Sequence, residues 1–222
     1  PAEGILTETE VSQLVECIRA FDGLVTERRR PDGSLSPYEA NVSLFDALKG
    51  TMAGVDAFQV PRFLVSHAVM LAMSGVPALY YNSVLAAPNN LTGVAETGRN
   101  RTINRRKWTM SEVKARIESD AGPSPSVLQG LREMLRVRQA QPAFHPEAKQ
   151  ESLVLHPHVF ALVRSSPGQR LLCLFNVSRA AAQFDIPDLP LDHATHLYAR
   201  EAVALAGNHC TMEPYAILWV SF

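Results

Sequence analysis

Apolar residues recur at helical spacing at Val11, Leu14, Val15 and Ile18, just after Thr7-Glu8-Thr9-Glu10. That tetrad is a capping box, with Thr7 as N-cap and Glu10 reaching back, so a helix is predicted from Glu8 to about Ala20. Two short extended arms, 24–27 and the residues around Leu35, meet across Pro31-Asp32-Gly33, a hairpin-turn signal. Residues 36–43 then read as a turn leading into a short helix near 44–48. Asp56 is placed to cap an almost wholly apolar helix over 57–73, with Pro61 tolerated in its first turns. Gly75 closes it. Val76-Pro77-Ala78-Leu79-Tyr80-Tyr81 follows without alternation, which predicts a strand buried on both faces. A polar loop, 88–106, separates it from helices expected at 111–119 and 126–141, the second halted by Pro142.

Beyond Glu151 the period shortens. Segments at 152–155, 159–164, 171–176, 181–186, 196–198 and 216–222 are divided by Pro167-Gly168, Pro187-Asp188 and Gly207-Asn208. Many short strands with turn residues between them predict an antiparallel β domain. The fold class expected is α/β followed by all-β. Helix, buried strand, polar loop and helix is the order of a (β/α)8 barrel, whose chemistry sits on the loops after the strands. One such unit is legible, so the chain reads as the C-terminal end of an enzyme.

Composition narrows the functions open to it. Twenty-one Lys+Arg against 22 Asp+Glu leave a formal net charge of −1, giving no global field toward nucleic acid or anionic membranes. Cys17, Cys173 and Cys210 are far apart and set among apolar neighbours, which points to a reduced, cytoplasmic setting. The apolar run in the 57–73 helix is too short to span a bilayer. Pro1-Ala2-Glu3-Gly4 resembles neither a signal peptide nor a native start.

The loop at 88–106 holds Asn89, Asn90, Arg99, Arg101 and Arg105. Guanidinium forks and amides there suit sugar hydroxyls or phosphate, or equally the loop's own carbonyls. Arg28-Arg29-Arg30 at the hairpin is either an anion contact or a solvated tip. Tyr38, Glu39 and Asn41 sit in the predicted turn, where they either line a polar cleft or pack locally. His67 reads as a satisfied core histidine, and His145 as a pin at the helix-to-β junction. His156, His158, His193, His196 and His209 read as surface groups with no carboxylate partner and no metal spacing. No phosphate-binding glycine loop, nucleophile elbow or zinc motif is present, so no metal and no cofactor is expected. The one legible barrel strand ends in Asn82, and no strand-end carboxylate pair is visible.

Ser36-Pro37-Tyr38-Glu39-Ala40-Asn41-Val42-Ser43-Leu44-Phe45-Asp46-Ala47-Leu48, Gly75-Val76-Pro77-Ala78-Leu79-Tyr80-Tyr81, Glu96-Thr97-Gly98-Arg99, Thr102-Ile103-Asn104-Arg105 and Gln141-Pro142-Ala143-Phe144-His145-Pro146 stand in that order. Together they resemble the sucrose phosphorylase subfamily of glycoside hydrolase family 13, the α-amylase superfamily, over essentially the whole chain. The resemblance implies three regions: an insertion after barrel strand 7 (1–55), the last barrel helices with strand 8 and helix 8 (56–149), and an antiparallel β domain (150–222). It implies retaining, double-displacement transfer of an α-glucosyl group to phosphate. The nucleophile, the acid/base and a third aspartate are expected upstream, so no catalytic residue is assigned in this chain, and alone it is expected to be inactive. Arg105 resembles the arginine beneath the glucosyl unit. Tyr38, Glu39 and Asn41 resemble the loop that shapes the acceptor side. Asn82 stands where several relatives have His, and Asn90 where they usually have Asp, both near the acceptor region.

The implied partners are an α-glucoside, inorganic phosphate, the N-terminal remainder of the enzyme and a second copy in a homodimer, with no nucleic acid and no membrane. The leaving sugar is left open among fructose, its 6-phosphate, glycerol and glycerate. A non-catalytic scaffold module and an amylase-type hydrolase are the rival readings.

Overall fold

The computed structural model describes residues 4–119 and 121–222; most of the Pro1-Ala2-Glu3-Gly4 segment discussed above lies outside them. In chain order the elements are α1 (Glu8–Ala20), β1 (Leu24–Arg29), β2 (Leu35–Asn41), α2 (Leu44–Ala47), β3 (Gly50–Thr51), β4 (Gly54–Val55) and α3 (Gln59–Ala72). Next come α4 (Tyr81–Val84), α5 (Leu91–Thr97), a 3-10 turn at Asn100–Asn104, α6 (Met110–Glu118), α7 (Ser124–Gln139) and a second 3-10 turn at Pro142–Phe144. Eight strands complete the described chain: β5 (Lys149–His156), β6 (Val159–Ser166), β7 (Gln169–Asn176), β8 (Ala182–Asp185), β9 (Thr195–Arg200), β10 (Val203–Ala206), β11 (His209–Met212) and β12 (Ile217–Ser221). The described residues divide into two compact units, one within 4–59 and 79–128 and the other within 60–78 and 129–222.

In the first unit α1 starts on the expected capping box, with both Thr7 and Glu10 closing reciprocal bonds. β1 and β2 form an antiparallel hairpin whose register slips between Thr26 and Glu27: Thr26 faces Glu39, and Glu27 faces Pro37. Tyr38 is therefore the extra residue of a β-bulge. The turn expected at Tyr38–Asn41 is thus a strand, because a bulge tolerates Pro37's missing N–H and lets pairing continue to Asn41. A second capping box, Thr109 with Glu112, starts α6.

Residues 76–80 form no strand. Among the described residues no strand lies beside them to complete a ladder, and Pro77 offers no donor. The expectation of burial on both faces fails as well: Val76 is 83% exposed. Tyr81 and Asn82 open the short helix α4 instead.

In the second unit the strands build two antiparallel sheets, ordered β5-β6-β7-β12-β9 and β10-β11-β8. Ala161, Leu174 and Leu218 share one face of the larger sheet with Phe184 and Cys210 of the smaller in a single apolar core. The central strands are buried on their other face too: Leu162, Cys173 and Trp219 form one cross-strand rank, and Phe144 meets the Trp219 ring edge-on at 4.9 Å. The hairpin β10–β11 about Gly207-Asn208 goes beyond the six predicted segments.

α3 begins at Gln59 rather than Ala57, since the Asp56 carboxylate accepts from the Phe58 amide and holds a turn first. His67 is buried on this helix with Nδ1 at 2.9 Å from the Phe63 carbonyl, the satisfied core histidine expected. Of the histidines expected at the surface, His156 and His158 are instead half-buried with ring centroids 5.1 Å apart, and a third gains a carboxylate partner. His209 pairs with Asp185 at 2.9 Å directly across β11 and β8, a cross-strand partnership set by register. Cys173 and Cys210 are buried, and burial raises both thiol pKa values, Cys210 to about 11.

Candidate functional site

The polar loops of the first unit meet in an open basin of about 990 Å³. Tyr38 and Glu39 from β2, Thr26 from β1, residues 97–102 and the side chains of Arg105 and Lys107 line it. The basin is built by side-chain bonds that tie the 97–105 segment to the hairpin. Arg101 donates to the Glu39 carboxylate at 3.0 Å, and Asn100 donates to the Thr26 hydroxyl at 3.3 Å. Arg28 lies over the Tyr38 ring at 5.8 Å. Four cationic residues (Arg99, Arg101, Arg105 and Lys107) thus face one carboxylate, Glu39, so the basin favours anions.

Arg105 follows the 3-10 turn, its backbone N–H donating to the Thr102 carbonyl at 3.1 Å. Its side chain is exposed, and no hydrogen bond or ion pair among the described residues holds the guanidinium. Five N–H donors are therefore available to a ligand.

The remaining candidates separate. Asn41 is buried and spends its amide on the Thr26 hydroxyl at 2.9 Å and the Glu39 carbonyl. Asn90 caps α5, its Oδ1 accepting from the Gly93 amide at 3.2 Å. Asn82 is 5% exposed and bonded at both ends: its nitrogen reaches the Tyr80 hydroxyl and the Asn104 and Arg106 carbonyls, and its oxygen accepts from Trp108 Nε1 at 2.5 Å. The structure therefore brings Tyr38, Glu39 and Arg105 to the basin and uses the three asparagines to hold its walls.

Asn89 belongs with them. It joins the Phe21 carbonyl, the Ser43 amide and, through its own N–H, the Asp46 carboxylate. A smaller cavity of about 210 Å³ lies among Val42–Phe45, Tyr80, Asn82, Asn104 and Arg106.

Beside the basin, Trp108 is flanked by the guanidinium carbons of Arg106 at 4.0 Å and Arg116 at 5.1 Å from its ring centre. Arg106 also pairs with Glu112, whose carboxyl is held low first by the Thr109 amide and then by its hydroxyl and Arg106. This network escaped sequence reasoning; the aromatic between basic residues in Arg105-Arg106-Lys107-Trp108 was its one visible signal. Among the described residues no group of three or more His, Cys, Asp or Glu side chains could hold a metal ion.

No family model matches the chain. Among curated proteins, the glucosylglycerate phosphorylase of Escherichia coli (strain K12) is 32% identical over 224 residues, 99% of this chain and 38% of the relative. That of Spirochaeta thermophila is 34% identical over 84% of this chain and 32% of the relative. The chain belongs to the sucrose phosphorylase subfamily of glycoside hydrolase family 13. It spans 32–38% of the length of the subfamily members it matches first. A solved sucrose 6F-phosphate phosphorylase from Thermoanaerobacter thermosaccharolyticum superposes with a TM-score of 0.66 at 17% identity, over 83% of this chain and 35% of that one. MutB in complex with isomaltulose gives 0.54 over 72% of this chain and 38% of that one. At these identities the likeness concerns the fold: the subfamily's structural neighbours are barrel enzymes with a C-terminal β domain. Among the described residues no helix is long and apolar enough to cross a membrane.

Proposed function

We propose that this chain is the C-terminal part of a retaining α-glucosyl phosphorylase that takes its catalytic carboxylates from upstream polypeptide. The observation that carries the reading is Arg105: an exposed guanidinium, unpaired among the described residues, in an open basin with Tyr38 and Glu39, within a chain homologous to named phosphorylases. Here Arg105 hydrogen-bonds glucosyl hydroxyls and, as a nearby cation, helps keep the nucleophilic aspartate ionised. Residues 76–80, extended at Tyr80 and unpaired among the described residues, serve as the barrel's closing strand once neighbouring strands supply the ladder. The regions 1–55, 56–149 and 150–222 are then the insertion, the barrel's end and the β domain, in a cytoplasmic enzyme that is inactive without its remainder and can pair as a homodimer.

The acceptor proposed is glycerate. The first relatives are named for glucosylglycerate, and Arg99, Arg101 and Lys107 around the basin suit a carboxylate better than neutral glycerol or fructose.

The test is an assay of the full-length protein with glucosylglycerate and inorganic phosphate. The expected product is α-glucose 1-phosphate, and Arg105→Ala is expected to lower kcat/KM on the order of a hundredfold. Free glucose would identify a hydrolase, and unaltered activity of Arg105→Ala would remove the arginine from the site.

A further inference from the structure

We propose that Asn82, together with the hydroxyls of Tyr80 and Tyr81, is a positioning device for Arg105, acting through the carbonyls on either side of it; the inference rests on Arg105 being the sugar-binding arginine.

The Tyr80 hydroxyl donates to the Asn104 carbonyl at 3.1 Å, and the Tyr81 hydroxyl donates to the Arg106 carbonyl at 2.5 Å. Asn82 Nδ2 lies 3.3 and 3.2 Å from the same two carbonyls and 3.0 Å from the Tyr80 hydroxyl. The donors balance. One Asn82 N–H serves the Tyr80 oxygen while Tyr80 gives its own proton to Asn104, and the second N–H serves Arg106. Three consecutive side chains thereby clamp both neighbours of Arg105 and leave its side chain untouched.

The clamp has its own anchor. Asn82 Oδ1 accepts from Trp108 Nε1 at 2.5 Å, and Trp108 packs against Arg116, which donates to the Leu85 and Ala86 carbonyls at 2.8 Å. The ring of contacts therefore closes on α4, the helix that Tyr81 and Asn82 begin.

A 3-10 turn with short-range bonds defines the φ and ψ of Arg105 weakly. A long guanidinium held at its backbone loses less side-chain freedom when it meets a sugar. Asn suits position 82 because it is a donor toward the Tyr80 hydroxyl and the Arg106 carbonyl and an acceptor toward an indole. Asp would keep the second role and lose the first.

The experiment is a double-mutant cycle in the full-length protein, reading kcat/KM for phosphorolysis. Asn82→Ala and Tyr81→Phe are each expected to lower it in the wild-type background, Asn82→Ala roughly tenfold. In the Arg105→Ala background neither is expected to lower the residual rate further, because nothing remains to be positioned. Equal losses in both backgrounds, or no loss in the wild type, would overturn the proposal while leaving the Arg105 assignment standing. A harmless Arg105→Ala would overturn that assignment and this inference with it. Should Asn82→Ala fail to fold, Tyr81→Phe removes a single hydroxyl from a half-exposed ring and decides the cycle alone.

Discussion

Arg164 is fully buried, and its guanidinium donates to three carbonyls: Ala72 at 2.7 Å, His145 at 2.6 Å and Ala148 at 3.2 Å. Among the described residues it has no carboxylate partner. Burial, and then the neighbouring Arg138 charge, lower its pKa. Arg138 plays a parallel part, donating to the Leu71 and Gly75 carbonyls. Leu71 and Ala72 close α3, so two cations satisfy carbonyls that a helix end leaves bare and sit at the negative end of its dipole. Arg164→Met is expected to orphan three acceptors and cost about 3 kcal/mol, read as a lower urea midpoint at unchanged slope. An unshifted midpoint would mean that water replaces the guanidinium. In the sequence Arg164 looks like the polar end of an apolar run; that it faces helix carbonyls depends on strand register, which one chain's pattern does not specify.

Among the elements, those governed by near neighbours were legible. The Thr7–Glu10 box and the α1 limits follow from four adjacent residues and a period of 3.6. The β1–β2 hairpin was legible at its Pro31-Asp32-Gly33 turn but not along β2, since the bulge at Tyr38 answers to pairing with Thr26 and Glu27. Asn90 shows how an element can claim a residue that seems chemical. Its oxygen caps α5 at Gly93, so Asn90→Ala is expected to lower stability by about 1 kcal/mol while Asn90→Asp, which keeps the acceptor, leaves it nearly unchanged. Thermal unfolding of the two variants checks this. Equal stability of all three proteins would release Asn90 from the cap and return it to the acceptor region. The 76–81 run forms no strand among the described residues because an apolar stretch of strand length becomes a strand only where another strand lies beside it.

At the scale of the whole molecule, stability between about pH 7.5 and about pH 5 is expected to depend on His67. Burial lowers its pKa below the ordinary value, with the Phe63 carbonyl acting the other way. The unfolded chain therefore takes up this proton first. The histidine's contribution is fully present above about pH 6.5 and declines as pH falls toward the lower folded pKa. Between about pH 7.5 and about pH 5 the wild type is expected to lose more stability than His67→Gln, measured as the shift in denaturant midpoint. Parallel losses would show that His67 does not govern the acid limb.

The candidate site was legible in its residue types. Tyr38, Glu39 and Arg105 were marked by their sequence motifs and do meet at one basin. Asn41, Asn82 and Asn90 carry the same polar signal yet are consumed by the walls, because an amide's partner is chosen by what folding brings near it.

What this chain's sequence determines alone is its local grammar: the caps, the apolar periods, the change from helices to short strands near residue 150 and the motifs that place it in a glucosyl phosphorylase subfamily. These depend on interactions within a few residues, where composition and order are the whole physics. The tertiary structure decided what is non-local: the Tyr38 bulge, the buried arginines on helix-end carbonyls, the clamp about Arg105 and which polar groups remain free for a ligand. A buried donor or acceptor must be paired, and its partner lies tens of residues away in the chain, at a distance only folding closes.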